Sequence, residues 1–475
     1  NNQGGQWLDY NTLDITATSI DNTNGRFESN GAATYDAATI NNGGLIYSYD
    51  GFHATSVNNE NGQLMADGGT IELSQTEGLN NKNGDIINFD GDIEIAASTF
   101  DNTGGKSVAS QSLTLSGLGN FTTHGTLLAG DAMHVSAKNL MISEGLYAGN
   151  HLNIVGNSVF IWSNKWLSSD GDVSIQSART IKNYGTIEAG NTLSMQNNSG
   201  DITNQANASL VAGNLINISA ADDAINYAQI IGDNIEISAA DDIHNGNAII
   251  ANESLEFVAN DVINKSVVFS GDDMSLNIKG NINNYATILS LSDLNIHYND
   301  TNRINSLVNH AGSNLQSDGN MTLYAQTITN EASFSTTTTT YRYKKPSVSD
   351  FNNSYTEVID REKSKDFAKN VTRATIQSGG NLDVSARKLN NDQSTIIADG
   401  NIDFNNTYVY NNAANLNAEK IDYKLKKETY EEKVCLGWEW ANLGCHYETR
   451  TKRIYVSGIE RSITHATVAA SITAG

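Results

Sequence analysis

The sequence has almost no proline or cysteine and no long apolar run. One Pro among 475 residues excludes a Pro-rich linker, while 40 Gly supply many turns. No stretch of 18 apolar residues occurs, so no transmembrane helix is expected. No signal peptide opens the chain, and both ends fall within a repeating pattern, so we expect a fragment of a longer protein.

The motifs of common enzymes are also missing. The nine His are scattered without metal-ligand spacing, and no nucleophile elbow, P-loop or dinucleotide fingerprint is found. Two acidic pairs, Asp222-Asp223 and Asp241-Asp242, recur near His244, but no Lys or Arg falls in the adjacent repeats. Solvated turns explain these pairs better than a polysaccharide-cleaving or Ca²⁺ site does. We predict no enzymatic activity, no cofactor and no bound metal.

What the sequence does contain is a repeat of about twenty residues. Its clearest copy is Ile181–Gly190, which reads apolar-x-Asn, a small residue, an aliphatic residue and a small-Gly turn. An apolar-x-apolar segment follows, as in Leu193-x-Met195. The Asn position is predicted at Asn22, Asn42, Asn59, Asn81, Asn102, Asn164, Asn183, Asn204, Asn226, Asn245, Asn264, Asn284, Asn309, Asn330, Asn391 and Asn412, with Thr123 and Glu144 filling the one gap.

This pattern predicts a right-handed parallel β-helix. Apolar-x-apolar alternation is typical of a strand with one buried face, and twenty residues make a coil of three short strands. Stacked coils bury each other's apolar side chains, and stacked Asn side chains can form a hydrogen-bonded ladder. Parallel crossovers are nearly always right-handed. Eighteen ladder positions predict a rod of about 85 Å. Trp162 is predicted in its core and Trp166 is predicted to pack at a turn, with an exposed surface aromatic as the alternative for Trp166.

The net charge of −24 is unevenly distributed along the chain. The stretches 335–373 and 419–461 hold 17 of the 29 Lys and Arg but only 13 of the 53 Asp and Glu, which leaves −28 on the remainder. An acidic rod repels nucleic acid, so we expect no nucleic-acid partner. A monomeric rod is expected.

The twenty-residue repeat is interrupted twice, which predicts five segments. These are a β-helix at 1–334, a first insertion at 335–373, resumed coils at 374–423, a hairpin at 424–456 and a truncated coil at 457–475. The first insertion carries the basic aromatic run Tyr341, Arg342, Tyr343, Lys344 and Lys345. Whether the two insertions share one face is left open.

The tip of the second insertion is rich in Trp. Cys435 and Cys445 flank Leu436, Trp438, Trp440 and Leu443. Two cysteines ten positions apart suit an extracellular disulfide, which would stabilise the loop by about 3 kcal/mol. Aromatic residues on a rigid loop are typical of binding hot spots. The alternative is a tip that folds back onto the rod.

In these repeats, such as Ile225-Asn226-Tyr227-Ala228, the chain resembles filamentous-haemagglutinin exoproteins of Gram-negative two-partner secretion. Its two late insertions resemble, in architecture, the receptor-binding region of CdiA-type contact-dependent growth inhibition effectors. The resemblance implies a secreted, cell-surface protein with an outer-membrane transporter as partner. It also implies an outer-membrane receptor on a target bacterium, a β-barrel protein or lipopolysaccharide, with any toxin lying outside these residues. A general host-cell adhesin of the same class is the alternative.

Overall fold

The computed structural model describes residues 1–75, 78–299, 302–341, 357–438 and 445–475. Within these, only backbone positions are described for 336–341, 357–370, 415–438 and 445–467. The described residues form strands and no helix. Accordingly, they contain no helix long and apolar enough to cross a membrane.

The strands wind into a parallel β-solenoid, which confirms the predicted fold class. A representative coil contains the strands Thr186–Ala189, Thr192–Asn197 and Ile202–Asn204. Each pairs in parallel with the equivalent strand of the next coil, so that Ile187 lies beside Leu210 and Asn204 beside Asn226. In some coils, as in His151–Ile161, the second and third strands merge into one.

Two parallel sheets run the length of the solenoid. The first sheet comprises Gln6–Asp9, Arg26–Ser29, Leu45–Ser48, Gln63–Ala66, Asp85–Asn88, Lys106–Ala109, Thr126–Ala129, Leu146–Ala148, Trp166–Ser169, Thr186–Ala189, Ser209–Ala212, Gln229–Gly232, Ile249–Ala251, Val268–Ser270, Thr287–Ser290, Asn314–Ser317, Thr375–Ser378, Thr395–Ala398 and Ser471–Ala474. The second comprises Leu13–Asp21, Ala33–Asn41, Gly51–Thr55, Val57–Asn58, Gly69–Gln75, Leu79–Asn80, Gly91–Ala97, Phe100–Asp101, Leu113–Thr122, Ala132–Ile142, His151–Ile161, Asp172–Ser177, Ile181–Asn183, Thr192–Asn197, Ile202–Asn204, Leu215–Ala220, Ala224–Asn226, Asn234–Ala239, Asp242–Asn245, Leu255–Ala259, Asp261–Asn264, Met274–Ile278, Asn281–Asn284, Leu294–His297, Ile304–Asn309, Met321–Glu331, Leu382–Asp392, Ile402–Phe404 and Tyr408–Asn412.

The core is a continuous stack of aliphatic side chains from both sheets. Ile187, Leu193 and Met195 are fully buried, and the equivalent residues of the neighbouring coils lie directly above and below them. No coil could bury these side chains alone, so each coil depends on its neighbours for its core.

The predicted ladder of buried Asn side chains is present. Each Asn Nδ2 donates to the Oδ1 of the next Asn at 2.6–3.0 Å, from Asn22 to Asn102 and again from Asn183 to Asn391. Asn391 then donates to Asn411, not to the predicted Asn412. These amides satisfy one another away from water, as buried polar groups must.

Thr123 occupies its predicted place in the column, but the prediction was wrong between Thr123 and Asn183. After Thr123, the column passes through Ile142 and Ile161, because Ile161 is the register partner of both Ile142 and Asn183. Glu144 and Asn164 therefore lie outside the ladder, and Asn164 occupies a turn with φ of 60°.

The same shift in register moves Trp162 to the surface, where 47% of it is exposed, so it is not the predicted core residue. A slip of one residue exchanges the inner and outer faces of a strand. The ring of Trp166 is also half-exposed, and it covers Gly145 so closely that a side chain at Gly145 would collide with it. This agrees with the predicted packing role at a turn.

Candidate functional site

Both insertions leave the solenoid at the same turn of the coil. This turn follows the ladder Asn and precedes the next strand of the first sheet. In the coil that separates the insertions, it consists only of Gln393 and Ser394, between the strands that end at Asp392 and begin at Thr395. The equivalent turns are residues 332–374 and 413–470. The insertions are therefore two coils apart along one side of the rod.

The two insertions meet in a single antiparallel sheet of four strands, which we call the platform. Its strands, in spatial order, are Ser333–Tyr341, Glu357–Thr372, Ala414–Trp438 and Cys445–Val468. The two middle strands come from different insertions. The two insertions therefore lie on the same side of the rod, because a strand of one pairs directly with a strand of the other.

The pairing between the insertions is continuous in register. Residues 357–365 of the second strand pair with residues 418–426 of the third, with Glu357 opposite Lys426 and Arg361 opposite Asp422. Backbone pairing over nine residues of each strand therefore joins the two insertions.

The platform is wider than the hairpin expected at 424–456. Its third strand begins at Ala414 and its fourth ends at Val468, so residues 414–423 pair with the fourth strand instead of forming a coil. The hairpin itself is present, with Cys435 opposite Tyr447 and Trp438 opposite Cys445. Only the backbone positions of Cys435 and Cys445 are described, so the predicted disulfide between their side chains falls outside the described part of the structure.

The predicted binding residues lie at the ends of platform strands or outside the described residues. Tyr341 ends the first strand opposite Lys363, and Leu436 and Trp438 lie near the end of the third. Outside the described residues are Arg342, Tyr343, Lys344, Lys345, Trp440 and Leu443.

A stacked group lies where the first insertion leaves the rod, and sequence reasoning missed it. The ring of His310 stacks on Tyr285 with centroids 3.9 Å apart, and its Nδ1 lies 2.7 Å from Glu331 Oε1. Glu331 ends the strand from which the first insertion departs. Nearby, Arg373 Nε donates to the carbonyl oxygen of Gln393 at 3.2 Å. This bond links the end of the first insertion to the short turn at Gln393 and Ser394. The only sequence signal was the position of His310 next to a ladder Asn.

The acidic pairs lie one coil apart, as expected. The amide of Asp242 donates to Asp223 Oδ1 at 3.0 Å, and His244 Nε2 lies 3.8 Å from Asp242 Oδ2. Burial and the neighbouring Asp241 and Asp261 raise the pKa of Asp242. Asp223, Asp242 and His244 could each offer one ligand atom to a cation, and so could Asp222, Asp223 and Asp241.

A family model described as haemagglutinin repeat matches five segments of the chain, residues 167–206, 195–252, 254–297, 293–340 and 368–420. The chain contains filamentous haemagglutinin-type repeats. Searches of curated proteins and of solved structures find no match. Haemagglutinin-repeat solenoids are structural and adhesive folds, and proteins that contain them are typically secreted or cell-surface exoproteins. The resemblance noted in the sequence is therefore confirmed at the level of the repeat.

Proposed function

We propose that the platform binds an outer-membrane receptor on a neighbouring bacterium, and that the haemagglutinin-repeat rod carries it there as part of a contact-dependent growth inhibition effector. The protein would be exported to the cell surface through a two-partner outer-membrane transporter. Toxin delivery would belong to parts of the protein outside this chain.

The observation that carries this proposal is the pairing of the two insertions. Insertions that only decorated the rod would need no common register, yet residues 357–365 of the first pair with residues 418–426 of the second. A single sheet can present residues from both insertions to one partner, and loops on a rigid scaffold are where specificity usually lies. The positive balance of these stretches on an acidic rod also favours an anionic bacterial surface.

The solenoid offers a precise way to remove each insertion. Replacing residues 332–374, or residues 413–470, by Gln-Ser copies the natural turn at 393–394 and preserves the register on both sides. The purified wild-type chain should capture a component of solubilised outer membranes and bind intact bacteria. Either replacement should reduce capture at least tenfold while leaving the β-type circular dichroism of the rod.

Undiminished capture after both replacements would refute the proposal. Capture of eukaryotic surface components, with none from outer membranes, would favour the host-cell adhesin.

A further inference from the structure

A polar groove crosses five successive coils on the outside of the second sheet. Its volume is about 470 Å³, and it runs from Gly117 in the first of these coils to Asn198 in the fifth. Because coils stack at roughly 4.8 Å, its length along the rod is about 19 Å. None of its residues belongs to the platform.

Small residues line the groove where the second and third strands of each coil meet or merge. Ala137, Gly156 and Ala178 lie in its wall. A Cβ on Gly156 would lie 3.3 Å from the carbonyl oxygen of Ala137, so this position is tight against its neighbour. Gly117 adopts φ of +74°, a conformation that favours glycine.

Four amide side chains in the groove are exposed and make no side-chain hydrogen bond to any residue that the structure describes. Gln176 and Gln196 are exposed register partners, and Asn157 and Asn198 are exposed beside them. Elsewhere on the rod exposed amides are often paired, as Asn139 is with Asn120.

A group of large side chains lies further along the strand His151–Ile161 and its neighbours, outside the lining of the groove. Phe160 lies three residues beyond Asn157 on the same strand, next to Met141 in the register. Its ring lies 6.3 Å from that of Trp162 and 4.9 Å from that of Tyr184. Trp162 is about half-exposed.

We infer that this groove is a binding site for a neutral polysaccharide chain that lies along the rod axis. Amide side chains offer both donors and acceptors, which suits the hydroxyl groups of sugars. Aromatic rings provide the apolar surface against which a sugar's C–H face packs. No carboxylate lines the groove although the rod is acidic, and Lys138 is the one cation in its lining.

Two other extended ligands fit less well. A nucleic acid strand requires several cations along its path, and a single Lys on an acidic rod does not supply them. An extended peptide commonly adds to an open sheet edge, but the strands beneath the groove are paired on both sides.

The test begins with a glycan microarray of neutral and acidic oligosaccharides. We expect retention on neutral glycans, followed by millimolar to micromolar binding of the best neutral oligosaccharide in titration calorimetry. The double variant Gln176→Ala/Gln196→Ala should weaken this binding at least tenfold, and Ala178→Trp should block the groove. Gln229→Ala removes an exposed amide of the first sheet that bonds to none of the described residues, and it should leave the affinity unchanged.

No retention on any neutral glycan would overturn the inference, as would preference for acidic glycans. Equal affinities of the wild-type chain and the Gln176/Gln196 variant would also overturn it. Circular dichroism of each variant establishes that the solenoid is intact. Because the platform is untouched by these substitutions, receptor capture should be unchanged in all of them.

Discussion

Asn330 Nδ2 donates to Asn391 Oδ1 at 2.9 Å although 61 positions separate the two residues in sequence. The first insertion leaves the rod after Asn330 and re-enters it without interrupting the ladder. The ladder continues through Asn391 to Asn411, and the second insertion leaves the rod after Asn411. The ladder therefore fixes the axial position of both insertions, and this fixed offset allows their strands to pair.

Asn330 should matter to stability more than an exposed Asn of the same region. Its Nδ2 also donates to the carbonyl oxygen of Thr395, and its Oδ1 accepts from Asn309. Asn330→Ala leaves buried polar groups unpaired and should lower the free energy of unfolding by about 1–3 kcal/mol. Asn412→Ala, at an exposed site, should change it by about 0.5 kcal/mol or less. Urea unfolding followed by circular dichroism measures both, and equal effects would contradict the role of the ladder.

The reassigned register at residues 161 and 162 can be tested by truncating each side chain. Ile161 is fully buried, so Ile161→Ala should cost about 2–5 kcal/mol in unfolding free energy. Trp162→Ala removes a half-exposed side chain and should cost about 1 kcal/mol, less than the fully buried Ile161. Urea unfolding measures both losses. A larger loss of unfolding free energy for Trp162→Ala than for Ile161→Ala would show that Trp162, not Ile161, is the core residue.

Asp242 and Asp101 should give opposite pH dependences. The raised pKa of Asp242 means that its ionised form is disfavoured in the folded state, so stability is lost as the pH rises through the folded pKa. Asp242→Asn should therefore be more stable than the wild-type chain at pH 7, and the difference should shrink toward pH 4.

The hydroxyl and amide of Thr103 lower the pKa of Asp101, so its stabilisation is present above the unfolded value and lost as the pH falls through the folded pKa. Asp101→Asn should be less stable than the wild-type chain at pH 7, with a difference that shrinks in acid. Urea unfolding at several pH values tests both substitutions. The same sign of change for both would contradict the assigned causes.

The repeated coil could be predicted because each copy is locally complete. Ile187, Leu193 and Asn183 each occupy a position that recurs along the chain, and period-two alternation fixes which side chains face inward. The error at Trp162 arose because Trp162-x-Asn164 imitates the Ile-x-Asn segment of the repeat, while the true ladder position held an apolar Ile161. Local pattern cannot distinguish these registers when the ladder residue itself is replaced.

The platform could be predicted only in part. The hairpin was evident from its charged, β-prone arms, but the pairing of Arg361 with Asp422 joins residues 61 positions apart and leaves no periodic signal. Its one sequence clue was that each insertion follows a ladder Asn. The common turn was missed because residues 414–423, predicted as a resumed coil, belong to the third strand of the platform.

The most direct test of the joined insertions is a disulfide between them. Ser364 and Glu419 are register partners in the middle of the platform, so their Cα atoms lie within the range that a disulfide spans. Asp422 lies three positions further along the same strand and serves as the mismatched control. Mild oxidation of Ser364→Cys/Glu419→Cys, followed by proteolysis and mass spectrometry, should give a cross-linked peptide containing both cysteines, whereas Ser364→Cys/Asp422→Cys should give little. Failure of the matched pair to cross-link, or equal cross-linking of both pairs, would show that the insertions do not form one sheet.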